Sequence, residues 1–280
     1  MKKISIGTAQ FGLKYGVNNK KGKLSQSEIN KIINFCIKKK IYHFDTSQSY
    51  GDAENKIGVY LKKHKKKLKI TTKVSYLKFN SIKKSIDRLN CIPDTVLFHN
   101  FKDFLNNSFR EKIIKECENY NIKKIGVSIY KNDQLNKVFK VTKINVVQLP
   151  LNIIDRYFLE SKLLDKLRKK KFEIQIRSIF LQGLLLTNKN SINKKFPQLK
   201  KNIEILRNLA QLNKMSINEL CLLWAFSIKK INRIIIGIDN INQLKENLNI
   251  LKMKKKLIKK DLISKIDFKN SKVLDPRNWS

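Results

Sequence analysis

The chain has 280 residues, 41% of them hydrophobic, enough apolar side chain for one large core. No apolar run nears the roughly 20 residues that span a bilayer, and Met1-Lys2-Lys3-Ile4-Ser5-Ile6-Gly7 has no apolar stretch behind its charges, so no membrane span or secretory leader is expected and a cytoplasmic protein is. A net charge of +39 and a pI near 10.1 raise a nucleic-acid reading. Lys, Ile and Asn are abundant throughout, however, as an A/T-rich coding sequence would make them.

Short β-branched segments alternate with helix-period segments along the whole chain. Strands are predicted at Lys3–Gly7, Tyr42–Thr46, Leu68–Lys73, Thr95–His99, Lys123–Val127, Asn145–Gln148, Phe172–Ser178 and Arg233–Gly237. Amphipathic stretches run between them, among them Gln26–Lys39, Glu54–Lys63, Ile82–Leu89 and Arg110–Tyr120. Ser25-Gln26-Ser27-Glu28 opens the first with the spacing of a capping box. Eight strand–helix repeats within about 240 residues define an α/β chain of the (β/α)8 barrel class, read as one domain over residues 1–280. A doubly wound dinucleotide-binding sheet needs G-x-G-x-x-G after its first strand. None of the nine glycines form that pattern; Gly7, Gly51, Gly126, Gly183 and Gly237 sit instead near the ends of different strands. Leu184–Asn202 is the longest poorly patterned connection and is expected as a loop over the barrel mouth. Val273–Trp279 is expected to fold back over the same face.

The densest basic runs, Lys62–Lys67 and Lys252–Lys256, fall at predicted helix ends, where cations complement the helix dipole. Neither has the interleaved aromatics of a single-strand-binding surface, so no specific nucleic-acid partner is expected. Cys36, Cys91, Cys117 and Cys221 show no metal-ligand or redox spacing; reduced, mostly buried thiols and no metal site are expected.

Strand ends converge on one rim of such a barrel. Asp45 and Tyr50 follow the second strand, Lys73 the third and His99 the fourth. A phenol with a pKa of about 10 is a weak acid–base group at neutral pH, and a neighbouring ammonium stabilises its phenolate. Lys73 suits that task, with Asp45 to balance its charge and His99 to orient a carbonyl oxygen. An acid, a phenol, an ammonium and an imidazole together form a proton-donating site for a carbonyl.

The block Phe44-Asp45-Thr46-Ser47-Gln48-Ser49-Tyr50-Gly51-Asp52-Ala53-Glu54, with Gly58 beyond it, resembles the second-strand signature of the aldo-keto reductase family. Gly7-Thr8-Ala9-Gln10-Phe11-Gly12 is similar to that family's first-strand entry, and the likeness runs from Ile6 to Asn247. The resemblance implies an NADP(H)- or NAD(H)-dependent oxidoreductase that interconverts an aldehyde or ketone with an alcohol. The substrate it implies is a small molecule, with a sugar or sugar derivative among the candidates. Tyr50 is then the proton donor of a tetrad with Asp45, Lys73 and His99. It also implies that Ser128 and Gln148 hold the nicotinamide carboxamide and that the loop with Gln182 and Gly183 runs beside the pyrophosphate. Gly237, Gln243, Glu246 and Asn247 then form the adenosine end, at a helix N-terminus that favours phosphate.

Several positions depart from the family pattern. Ile129 and Ile179 replace a frequent Asn and Pro, and Arg177 stands where many members place an aromatic against the nicotinamide. Gln243 and Gly237 replace cations that recognise the 2′-phosphate of NADP, so weakened NADP selectivity is expected. Phe11, Gln48, Phe180 and Gln182 are expected to line the substrate pocket, and Arg177, Asp155 and Arg156 suggest a polar or anionic substrate. The alternative is a regulatory subunit on the same scaffold that senses cofactor without turnover.

Overall fold

The computed structural model describes residues 3–64, 67–77, 81–187, 196–253 and 271–279. Its strands are β1 (Ile4–Gly7), β2 (His43–Asp45), β3 (Lys69–Val74), β4 (Thr95–Phe98), β5 (Lys124–Ser128), β6 (Val146–Pro150), β7 (Glu173–Arg177) and β8 (Arg233–Gly237). They pair in chain order, all parallel, and β8 returns to β1 with Ile4 opposite Ile234 and Ile6 opposite Ile236. The expected (β/α)8 barrel is therefore present. Ile6, Phe44, Ile70, Val96, Val127, Val147, Ile174 and Ile234 are all buried. Strands covered by helices outside and packed side chains inside read as nearly continuous apolar runs, which is why the sequence revealed them.

Local signals set the helix ends. Ser25 Oγ accepts from the Glu28 N–H while the Glu28 carboxylate accepts from the Ser25 N–H, the capping box expected there. The helix that follows, Gln26–Lys38, buries Ile29, Ile32, Ile33 and Cys36 as one stripe. Each such side chain contributes about 1.5–3 kcal/mol on burial. Helix Asn107–Asn119 begins a turn earlier than expected, because the Asn106 side chain accepts from the Phe109 N–H and caps it there. Gly126 lets β5 and β6 approach, since a Cβ there would lie 2.2 Å from the Val146 carbonyl oxygen.

The segment expected as an open loop, Leu184–Asn202, is more regular in its described part. Two tight turns, joined by a kink at Gln182 and Gly183, cover Leu181–Leu186, with Leu184 and Leu185 buried, and Asn202 already belongs to helix Lys200–Leu212. The expectation failed because short leucine-rich turns carry too little periodicity to be read; residues 188–195 lie outside the described part. The C-terminal turn reaches the mouth, where Pro276 lines the cavity, and Trp279 packs on Phe196 with ring centroids 4.8 Å apart.

Lys62, Lys63 and Lys252 occupy last turns of their helices, as expected; Lys65, Lys66 and Lys254–Lys256 lie outside the described residues. Cys36, Cys117 and Cys221 are buried and Cys91 half-buried, all as free thiols. Among the described residues no helix is long and apolar enough to cross a membrane.

Candidate active site

A cavity of about 750 Å³ opens at the C-terminal ends of the strands, and all four residues of the expected tetrad line it. So do the nine expected at the cofactor: Ser128, Gln148, Arg177, Gln182, Gly183, Gly237, Gln243, Glu246 and Asn247.

Lys73 and Asp45 lie side by side on β3 and β2, almost wholly buried. The Lys73 ammonium donates to Asp45 Oδ1 at 2.5 Å and to the Thr46 carbonyl at 2.9 Å, and lies 3.5 Å from the Tyr50 hydroxyl. The second Asp45 oxygen accepts from Gln148 Nε2 at 2.7 Å. Tyr50 is carried on a turn tightened by Gly51, whose φ of +56° is left-handed. A Cβ on Gly51 would meet the Gly12 carbonyl oxygen at 2.4 Å, so this position needs glycine twice over. His99 meets the edge of Tyr50, centroids 5.9 Å apart, and its Nδ1 is 3.0 Å from Ser47 Oγ.

Burial dominates the protonation of this group. It lowers Lys73, with Asp45 acting in the opposite direction. It lowers His99 to about 3, helped by the Lys73 and Arg177 charges, so the imidazole is neutral. Tyr50 is raised, first by burial and then by the Asp45 carboxylate, while Arg177 pulls it down. In the resting site, burial and the Asp45 carboxylate outweigh the help that the Lys73 ammonium gives a phenolate. Tyr50 is thereby kept protonated, the form in which a phenol can donate.

On the far side of the barrel, Ser128 and Gln148 are register partners on β5 and β6 and both are buried. Gln148 Nε2 is shared between Asp45 and Gln175, while its Oε1 is buried without a hydrogen-bond partner. Arg177 ends β7, donates to Ser128 Oγ at 3.3 Å, and lies with its guanidinium 4.2 Å from the Tyr130 ring centroid. Leu181, Gln182 and Gly183 are all left-handed, costing about 1–2 kcal/mol at each residue with a Cβ. The Gln182 carbonyl accepts from the Val17 N–H and the Gly183 carbonyl from Asn18 Nδ2, which ties this loop to the one after β1.

At the β8 end, Asn240 caps helix Ile241–Lys252 by accepting from the Gln243 N–H. The Gln243 side chain turns back on its own loop: Oε1 accepts from the Asp239 N–H at 2.8 Å and Nε2 donates to Asp239 Oδ2 at 3.3 Å. Glu246 and Asn247 both accept from Asn218 Nδ2, at 3.2 and 3.1 Å.

Two residues expected at the pocket are elsewhere. Phe11 is fully buried in the core, and Gln48 donates to the Ser81 carbonyl and to Ser85 Oγ beneath helix Ile82–Leu89. A one-residue step past a strand end reverses the side a residue faces, and spacing alone does not resolve it. Phe180 and Gln182 do line the cavity; Asp155 and Arg156 do not. Burial pushes Asp155 up to about 6, and Arg156 pairs with Glu160. Tyr15, Tyr130 and Asn218 line the cavity but went unread, because each arrives on a loop or helix start with no motif of its own.

A closed eight-stranded barrel with a buried acid–lysine pair beneath a tyrosine and a histidine belongs to the barrel-type oxidoreductases of carbonyl and alcohol groups. The chain matches the model of the aldo/keto reductase family over residues 3–270 and is a member of that family. It is accordingly an NAD(P)-dependent oxidoreductase acting on carbonyl or alcohol groups of small molecules. Among solved structures it is similar to a glycerol dehydrogenase from Gluconobacter oxydans, at 18% identity and a TM-score of 0.71, over 94% of this chain and 90% of that one. It is also similar to a Pseudomonas aeruginosa protein described as an aldo-keto reductase, at 17% identity and a TM-score of 0.65, over 89% and 88% of the two chains. No curated protein matches it by sequence.

Proposed function

We propose that this enzyme interconverts an aldehyde or ketone with its alcohol, with Tyr50 as the proton donor and a sugar or sugar derivative as the substrate. The observation that carries the proposal is the buried ammonium of Lys73, held 2.5 Å from Asp45 and 3.5 Å from the Tyr50 hydroxyl. As Tyr50 gives its proton to the carbonyl oxygen, negative charge grows on the phenol, where the ammonium already stands. Asp45 keeps Lys73 charged in a site whose burial would otherwise neutralise it. The neutral His99, fixed through Ser47, is available to hydrogen-bond the same oxygen. Positioned acid catalysis of this kind contributes about 10²–10⁴-fold. The polar lining of Tyr15, Asn100, Tyr130 and Arg177 supports a hydroxylated substrate.

The residues present suit a nicotinamide dinucleotide, which when bound supplies or takes up the hydride. Ser128 and the unpartnered Gln148 Oε1 offer a hydroxyl and an acceptor to a carboxamide. Backbone around Gln182 and Gly183 would flank the pyrophosphate, with Gly237, Gln243, Glu246 and Asn247 at the adenosine end. Gln243 is engaged by Asp239 and brings no cation to a 2′-phosphate, which supports weakened NADP selectivity. Parallel titrations with NADH and NADPH, followed by turnover on a panel of aldehydes and sugars, test the reading. Saturable binding without a large NADPH preference, and turnover of a hydroxylated carbonyl compound, are expected. Absence of both binding and turnover would refute it.

A further inference from the structure

We infer that Arg177 makes this site hold the reduced, uncharged nicotinamide more tightly than the oxidised, cationic one. The inference rests on the cofactor placement above, with Ser128 and Gln148 at the carboxamide.

Position is the first support. The Arg177 guanidinium is one hydrogen bond from Ser128 Oγ, so a carboxamide held by Ser128 brings its ring alongside that charge. Charge balance is the second. Lys73 is matched by Asp45, and His99 is neutral, whereas Arg177 makes no ion pair among the described residues. Its partners are the Ser128 hydroxyl and the face of Tyr130. Asp155 feels its field but is not paired with it. Among the described residues beside the reacting groups, Arg177 is thus the cation that no carboxylate contacts directly, with Asp155 only in its longer-range field. Reach is the third support: the same guanidinium disfavours positive charge on Lys73 and His99 and favours negative charge on Tyr15 and Tyr50.

Oxidation adds one positive charge to the nicotinamide ring. At the distances and effective dielectric of a protein mouth, like-charge repulsion of this kind changes affinity by about tenfold to a hundredfold. Binding the reduced form more tightly makes the bound couple a weaker reductant than the free one by the same factor, as linkage requires. The site is therefore poised toward alcohol oxidation relative to solution. A stacked aromatic in place of Arg177 would impose no such bias.

The test is calorimetric titration of the full chain with NADH and with NAD+ at one ionic strength, for the wild type, Arg177→Gln and Arg177→Lys. The wild type is expected to bind NADH at least about tenfold more tightly than NAD+. Arg177→Gln is expected to shrink that ratio mainly by gaining NAD+ affinity, and Arg177→Lys to retain most of it. A wild-type ratio near one, or a ratio that Arg177→Gln leaves unchanged, overturns the inference while leaving the cofactor site standing. Failure of both forms to bind removes the cofactor placement and the inference together.

Discussion

Each end of this barrel holds a lysine 2.5 Å from a carboxylate, with a histidine nearby. At the mouth the pair is Lys73 and Asp45, with His99; at the floor it is Lys124 and Glu173, with His43. The floor pair borders a cavity of about 370 Å³ and is completed by Arg233, 3.9 Å from Glu173, and by Gln175, which donates to it. Burial is what separates the two. The Lys73 side chain is 1% exposed and that of Lys124 47%. Water and salt screen the Lys124–Glu173 pair of the floor network, whose Gln175 is joined to the mouth through the amide of Gln148. At the mouth the ammonium cannot be screened, and its remaining neighbour is a phenol facing open space. The same ion-pair distance is open to solvent at one end and shut away from it at the other, where the proposed chemistry lies.

Lys73→Met should break the mouth most severely. It leaves the Asp45 carboxylate buried without its cation, a loss of about 3–5 kcal/mol in stability. Turnover should fall by at least about 10²-fold, since the phenolate also loses its counter-charge. Denaturant unfolding and steady-state rates measure the two effects separately, and Asp45→Asn in the same background should recover part of the stability but none of the rate.

The histidines sharpen the comparison through pH. His99 is held at about 3 and His43 at about 4, against an ordinary 6.5, both chiefly by burial. Below 6.5 the unfolded chain takes up protons that the folded chain refuses. Their contribution to stability is therefore full above 6.5 and is lost as pH falls toward those values. His43→Gln should flatten the thermal-unfolding profile between about 4 and 6.5 relative to wild type and leave turnover unchanged. His99→Gln should flatten it down to about 3 and slow turnover as well. Because the raised Asp155 acts with the opposite slope, the difference between variant and wild type is the quantity to read.

Lys124→Met at the floor should be the mildest change, within about 1 kcal/mol of wild type and without effect on turnover. A loss as large as that of Lys73→Met would mean that burial does not separate the two ends.

Much of this was legible in the sequence, for physical reasons. Parallel strands covered on both faces produce unbroken runs such as Ile234–Ile236. The residues of the tetrad sit within short, separated blocks at strand ends, so Asp45, Tyr50, Lys73 and His99 could be gathered before any coordinates. What was hidden depends on burial and on chain path. The upward shift of Tyr50 is a balance of desolvation, Asp45 and Arg177 that no spacing encodes. Asn218 lies inside the Ser216–Glu219 capping box and reads as part of an ordinary first helical turn. Only the packing of its helix against Ile241–Lys252 brings it to Glu246 and Asn247. Gln48 shows the reverse error, a residue in the right block that faces the wrong way.

The most direct test of the central claim, that Lys73 and Asp45 prepare Tyr50 to donate a proton, is carbonyl reduction by wild type and Tyr50→Phe side by side, with cofactor binding measured on both. Tyr50→Phe is expected to keep its affinity for the reduced cofactor and to lose turnover by about 10²–10⁴-fold. Turnover by Tyr50→Phe at the wild-type rate would contradict it.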